Sequence, residues 1–178
     1  MEEASYNSAV HDRMFLSYGL FLVVWSTFEA VLEVATMKIA NMDPVHAVIV
    51  SSGLGFERKA SIARSLMALD GDRYATAISL INQITQTAER NAMVHGQIRI
   101  GSESIAFVKR TTDQKLQTTV KRLSADEFAI RVATVNVLVA NLQANLEITD
   151  EELEAYSKTG LNFLKKPSGS GMQPKRKP

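Results

Sequence analysis

Between residues 5 and 40, apolar side chains return at three- and four-residue steps, at Phe15, Leu22, Trp25, Phe28, Leu32 and Ile39. That period commits the opening of the chain to one long helix. Inside it, Phe15-Leu16 and the run from Gly19 to Trp25 are nearly continuous apolar residues, so a membrane span has to be weighed. The stretch 14–28 is shorter than the ~20 apolar residues a span needs, and Glu29 and Glu33 follow within two turns. The expectation is a buried bundle helix and no membrane association.

The rest of the chain punctuates itself. Asn41-Met42-Asp43-Pro44 ends the first helix, with Asp43 suited to cap and Pro44 to open a second helix over 44–69. Its apolar positions are Val45, Val48, Ile49, Phe56, Ile62, Leu66 and Met67, with a kink at Ser51-Ser52-Gly53 and Gly55. Asp70-Gly71-Asp72 turns into a third helix over 72–94, striped by Ala77, Leu80, Ile81, Ile84, Ala88 and Ala92. From Gln97 the period becomes two: Ile98 and Ile100, a turn at 101–104, then Ile105 and Phe107, with a third strand at 116–120. Ser124-Ala125-Asp126-Glu127 reads as a capping box opening a fourth helix to about Leu146, through Phe128, Ile130, Val135, Leu138, Val139 and Leu142. A short helix over 150–164 follows, then a basic disordered tail over 165–178, dominated by Gly, Ser, Pro and Lys. The expected fold is mainly α: one domain over 1–164, a bundle of four to five helices with a small β-hairpin before the fourth. At 178 residues and 46% hydrophobic content, the chain can bury one core without staples.

Cysteine is absent, which removes disulfides and thiolate metal sites and agrees with a reducing compartment. Met1-Glu2-Glu3 is acidic where a secretory signal is basic, so a cytoplasmic protein is expected. The net charge of +1 is unevenly spread: −3 over 1–96, +4 over 97–122, −5 over 123–164 and +5 over 165–178. That distribution argues against nucleic-acid binding by the whole surface and leaves a local basic strip over 97–122.

Immediately before that strip stands Arg90-Asn91-Ala92-Met93-Val94-His95-Gly96, a cation, an amide and a titratable imidazole at the expected end of the third helix. A guanidinium stays charged and forks onto phosphate oxygens. An imidazole with an ordinary pKa of roughly 6.5 both accepts and gives a proton near neutral pH. Together these groups can handle a phosphodiester without a metal. Asn91 and His95, four apart, share a helix face, so Asn91 can orient the ring. Arg90 and His95, five apart, are separated by about 140° and meet only if the last turn loosens or a second chain contributes. Gln83, Thr87, Asn91 and His95 extend as a polar ridge at four-residue steps. Gly96 suits a helix stop, which sets His95 near the negative end of the helix dipole.

Other candidates carry blander readings. Glu29 and Glu33 share a face but lack a Glu-x-x-His companion, so a salt-bridged strip, with Glu29 holding a cation from the third helix, outranks a di-metal site. His11 and His46 have no ligand-spaced companions and read as surface histidines. Gly53-x-Gly55 lacks a preceding strand and a third glycine, which excludes a phosphate loop. Trp25, Phe15 and Phe28 fall at helical spacing and read as core. The cluster Arg99, Lys109, Arg110, Lys115, Lys121 and Arg122 is either a solvated hairpin face or a phosphate-steering strip, with Arg99, Lys109 and Arg110 as its RNA contacts.

A helical bundle in which Arg-Asn, three residues and His-Gly close one helix, with a hairpin before the last helix, resembles the HEPN superfamily (higher eukaryotes and prokaryotes nucleotide-binding domain). Trp25-Ser26-Thr27-Phe28-Glu29, Gly53-Leu54-Gly55-Phe56-Glu57-Arg58-Lys59 and Arg90 to Gly96 look like the corresponding blocks, across roughly residues 10–146. The family pattern is Arg, four to six residues, then His, often with a polar residue directly after the Arg; Arg90, Asn91 and His95 fill those places. The resemblance implies a metal-independent endoribonuclease without a cofactor, acting on RNA as a homodimer whose two motifs line one cleft. His95 would do acid–base work, Arg90 would stabilise the phosphate and Asn91 would fix the ring. It also suggests a setting in bacterial or phage-related defence or growth control. Two alternatives remain: a catalytically silent dimerisation or interaction module, and a regulatory subunit whose neutralising protein partner covers the cleft.

Overall fold

The computed structural model describes residues 8–89, Met93, 97–101, 103–113 and 115–163, the side chains of Ser8, 109–117 and 160–163 excepted. Among them are six helices, a 3-10 turn and one antiparallel sheet. The order is α1 (Ser8–Ile39), α2 (Pro44–Ser51), α3 (Phe56–Leu69), the turn Gly71–Tyr74, α4 (Ala75–Ala88), β1 (Gln97–Ile100), β2 (Ser104–Asp113), β3 (Lys115–Ser124), α5 (Ala125–Asn145) and α6 (Asp150–Phe163). The architecture is mainly helical with a small sheet of order β1-β2-β3. The tail expected over 165–178 lies outside the described residues.

The expected four to five helices become six because 44–69 is not one kinked helix. Asp43 caps α2, its carboxylate accepting from the Val45 amide at 2.9 Å, with Pro44 in the first turn. After Ser51 the chain leaves the helix. The Ser51 and Ser52 hydroxyls donate back to the Val48 and Ile49 carbonyls, and Gly55 is extended at the start of α3. Serine hydroxyls competing for backbone carbonyls and glycine's entropic cost make a full break easier than a bend. The break aims Phe56, the first residue of α3, at α1.

α1 is the spine: 32 residues, about 48 Å at the α-helical rise. One side of it buries Met14, Phe21, Phe28, Val31 and Leu32 completely and Trp25 nearly so. Phe15 and Leu22, expected inside, are exposed on the other side with Leu16, Leu20 and Val23. With apolar residues all round this stretch, the period alone does not say which side turns inward; packing against the other helices decides it. By length and composition α1 also qualifies as a membrane-crossing helix, so shortness does not exclude a span; here its inner face is packed within the fold. Asn41, at φ 49°, closes α1 in a Schellman motif, the Met42 amide reaching the Met37 carbonyl at 2.9 Å and the Asn41 amide the Lys38 carbonyl at 3.2 Å.

A run of rings links the layers. Trp25 lies 4.4 Å from Phe56 and 5.3 Å from Phe28, Phe21 lies 6.4 Å from Phe128, and Phe128 lies 5.7 Å from Phe107 on β2 (centroid distances). Such offset and edge contacts add to the burial of the rings themselves. The sheet extends beyond the expected hairpin: β2 and β3 each run ten residues, register Ser104↔Ser124 to Asp113↔Lys115, while β1 pairs only through Gln97↔Val108 to Ile100↔Ile105. The capping box forms, Ser124 Oγ accepting from the Glu127 amide at 3.2 Å and Glu127 Oε2 from the Ser124 amide at 2.8 Å. Thr149 and Glu152 repeat the device at α6.

α6 docks on α2 through Tyr156, whose hydroxyl is 3.1 Å from Ser51 Oγ. Burial, reinforced by the nearby Glu33 charge, pushes the Tyr156 phenol up to about 12. A raised folded value means that its contribution to stability is complete below the ordinary tyrosine value of 10.0 and declines as pH rises through the folded one. In an ultraviolet titration, Tyr156→Phe should remove a phenolate that forms at about pH 12; an unchanged curve would contradict this placement. Urea unfolding should show Phe28→Ala losing about 3–5 kcal/mol, the cost of emptying a sealed aromatic site, and Ser124→Ala about 1 kcal/mol for the lost cap.

Candidate active site

Arg90, Asn91 and His95 lie outside the described residues; described are Glu89 before them, Met93 between them and Gln97 after them. α4 stops at Ala88, six residues short of the expected end at 94. Glu89 follows in the left-handed region, φ 45° and ψ 41°, its amide still reaching the Thr85 carbonyl at 3.3 Å. A left-handed residue with a Cβ costs about 1–2 kcal/mol, so something must hold it. Two cations do. The Glu89 carboxylate pairs with Lys121 of β3 and, at 3.2 Å, with Arg131 of α5. Arg131 also donates to the Thr87 carbonyl at 3.4 Å, covering a helix-end acceptor.

Of the expected polar ridge, Gln83 and Thr87 lie on α4, whose helical repeat is interrupted at Glu89, while Asn91 and His95 lie outside the described residues. Beyond the break, Met93 is helical and fully buried, its amide 3.4 Å from the Glu89 carbonyl. Its own carbonyl accepts from the Tyr18 hydroxyl of α1 at 3.3 Å. Gln97 then enters β1. Of the residues around and within the motif, Glu89 is thus tied to α5 and β3, Met93 to α1, and Gln97 to the sheet.

Burial of Glu89 works to raise its carboxyl, but the hydrogen bonds and charges of Lys121 and Arg131 outweigh it and hold the group below the ordinary glutamate value. Beside the clamp runs an open groove of about 380 Å³ lined by Thr87, Glu89, Leu123, Ile130 and Arg131.

The basic strip divides. Lys121 is committed to Glu89. Arg99 of β1 and Arg122 of β3 both stand opposite Ala106 of β2, so they flank one alanine on the same sheet face, about 10 Å apart across two strand spacings. Both are exposed. Lys109 and Arg110 sit in β2 paired with Thr119 and Thr118; their side chains lie outside the described residues. The Arg99–Arg122 pairing is invisible without the register, and nothing local in the sequence marks Glu89 or Tyr18 as anchors.

Glu29 and Glu33 form a closed ion cluster. Lys59 of α3 sits between them at 3.2 and 2.5 Å, and Trp25 Nε1 donates to Glu29 at 2.7 Å. The cation comes from α3 and not from the helix over 72–94, because the break after Ser51 swings α3 against α1. Burial alone would lower the Lys59 ammonium; its hydrogen bonds and charge pairing with Glu33 and Glu29 outweigh that and hold it above the ordinary lysine value. No group of three acidic, histidine or cysteine side chains suited to a metal occurs among the described residues. His11 lies edge-on to Phe15 at 4.7 Å, and His46 is 3.5 Å from Asp43. Against known protein families, curated proteins and solved structures, the chain finds no match.

Because the folded Glu89 carboxyl is depressed, its contribution is complete above the ordinary value of 4.5 and is lost as pH falls through the folded one. Glu89→Gln should therefore lower the urea midpoint at neutral pH and narrow the drop seen on acidification. Equal acid sensitivity in wild type and variant would dissolve the clamp.

Proposed function

We propose that this chain is a metal-independent endoribonuclease of HEPN type, cleaving RNA in a composite site built by two copies. What supports the reading is the motif Arg90 to Gly96 itself, together with its position in the chain directly after the clamped Glu89 and directly before the sheet whose one face bears Arg99 and Arg122. Attack by a ribose 2′-oxygen on the adjacent phosphorus breaks the bond to the 5′-oxygen and leaves a 2′,3′-cyclic phosphate and a 5′-hydroxyl. The attack needs a base for the 2′ proton and an acid for the departing oxygen. One motif has one histidine; two copies supply both, with each Arg90 countering the charge on phosphorus and Asn91 holding the ring.

Arg99, Arg122 and Arg110, at register positions of one sheet face, extend the phosphate contacts, whereas Lys109, also expected among them, falls at a position of the alternate face. A cytoplasmic setting and a role in defence or growth control belong to this same reading, as does a protein partner that keeps the nuclease in check.

The burial of Met93 and its bond from Tyr18 favour one second reading, in which the segment is a structural tether and the chain a silent dimerisation or interaction module. A purified preparation incubated with RNA and a chelator separates the two. The nuclease should cut, leave cyclic phosphate ends, spare all-deoxy substrates, and lose roughly 10²–10⁴-fold in rate in His95→Ala. Arg99→Ala with Arg122→Ala should weaken RNA binding and flatten its salt dependence by up to about two phosphate contacts. Intact RNA, or cleavage that survives His95→Ala, favours the silent module.

A further inference from the structure

α1 carries five large apolar side chains, Phe15, Leu16, Leu20, Leu22 and Val23, that are 41–74% exposed. With Gly19 among them they cover roughly 160° of the helix circumference at 100° per residue. No charged residue falls between Arg13 and Glu29. Gly19 sharpens the observation. A glycine in a helix interior costs stability relative to alanine, yet a Cβ built there meets nothing within 4 Å. Packing among the described residues gives no reason for it; the close approach of another backbone does.

We infer that this face of α1 is the seam of a two-fold homodimer, with the two helices crossing antiparallel near Gly19. The exposed apolar area is on the order of 500 Å², more than half of the ~800 Å² that each partner of a stable interface commits; the polar rim beside it supplies the rest. A crossing at Gly19 sets Phe15 and Leu16 of one copy opposite Val23 and Leu22 of the other. It also keeps the two Asp12 carboxylates about 21 Å apart along the axis, beyond a Debye length, whereas a parallel pairing brings them together. A lipid surface fits less well. The opposite side of α1 is sealed into the core, and the ions flanking the patch, Asp12 and the Arg13–Asp126 pair at 2.9 Å, sum to negative charge where an interfacial helix carries lysines and arginines.

The seam deepens the nuclease reading and rests on it in one respect. Tyr18, next to Gly19 in sequence but about 100° round the helix from it, donates to the Met93 carbonyl, so Met93 is tied to the same helix that forms the seam.

Sedimentation of the full chain over a concentration series tests the seam. Wild type should be dimeric at micromolar concentrations. Leu16→Glu with Val23→Glu, and separately Gly19→Leu, should each weaken association at least ~100-fold and leave the far-ultraviolet dichroism intact, since these side chains occupy open space. A wild type monomeric at about 100 µM, or a dimer indifferent to both variants, overturns the seam. So does co-flotation of monomeric wild type with phosphatidylcholine–phosphatidylserine vesicles. A dimer sensitive to the variants that leaves RNA intact keeps the seam and removes the nuclease; a monomer that cuts RNA does the reverse.

Discussion

Everything in this fold leans on the inner face of α1. Phe21, Trp25 and Phe28 present rings to α3 through Phe56 and to α5 through Phe128, and Phe128 hands the contact on to Phe107 in the sheet. Fully burying one such side chain contributes about 1.5–3 kcal/mol, against a whole-domain stability of about 5–15 kcal/mol. The loss of a single ring is therefore felt across every layer. The short helices and the sheet need this spine because none of them buries enough surface alone.

Around that apolar interior the polar chemistry is local and paired. Lys59 bridges Glu29 and Glu33 where α3 crosses α1, Lys38 ties α1 to the start of α6 through Glu152 and the Glu147 carbonyl, and Glu89 draws β3 and α5 to the end of α4. The Glu89 cluster, like the Lys38 contact to Glu147, holds a left-handed residue as well as a charge. It converts the end of α4 into a fixed departure point, and the motif segment begins at the next residue.

Much of this was legible in the sequence. Asp43-Pro44 and Ser124…Glu127 marked their helix starts because capping depends on residues three or fewer apart, and the period-two pattern of Ile98, Ile100, Ile105 and Phe107 marked the sheet. Gly55 and the serines before it signalled a disturbance but not its depth, which depends on where Phe56 must land. Phe15 and Leu22 were misassigned because α1 is apolar on both sides. The helix over 72–94 stops early for a reason 32 and 42 residues away in the chain, at Lys121 and Arg131. For the candidate site, its residue types were readable in Arg90, Asn91 and His95, whereas its anchors, Glu89, Tyr18 and the Arg99–Arg122 pair, exist only through tertiary contact and strand register.

The unequal strands have a last consequence. β1 accompanies β2 for four residues only, so from Lys109 to Asp113 the middle strand has β3 on one flank and no described strand on the other. A two-stranded ribbon coils more tightly than a sheet and leaves a row of backbone donors and acceptors open to a foreign strand. Lys109 and Arg110 begin the row that has no described neighbour, and Lys115 heads the returning strand. Charged residue types at the positions of such a border discourage neighbouring ribbons from stitching together.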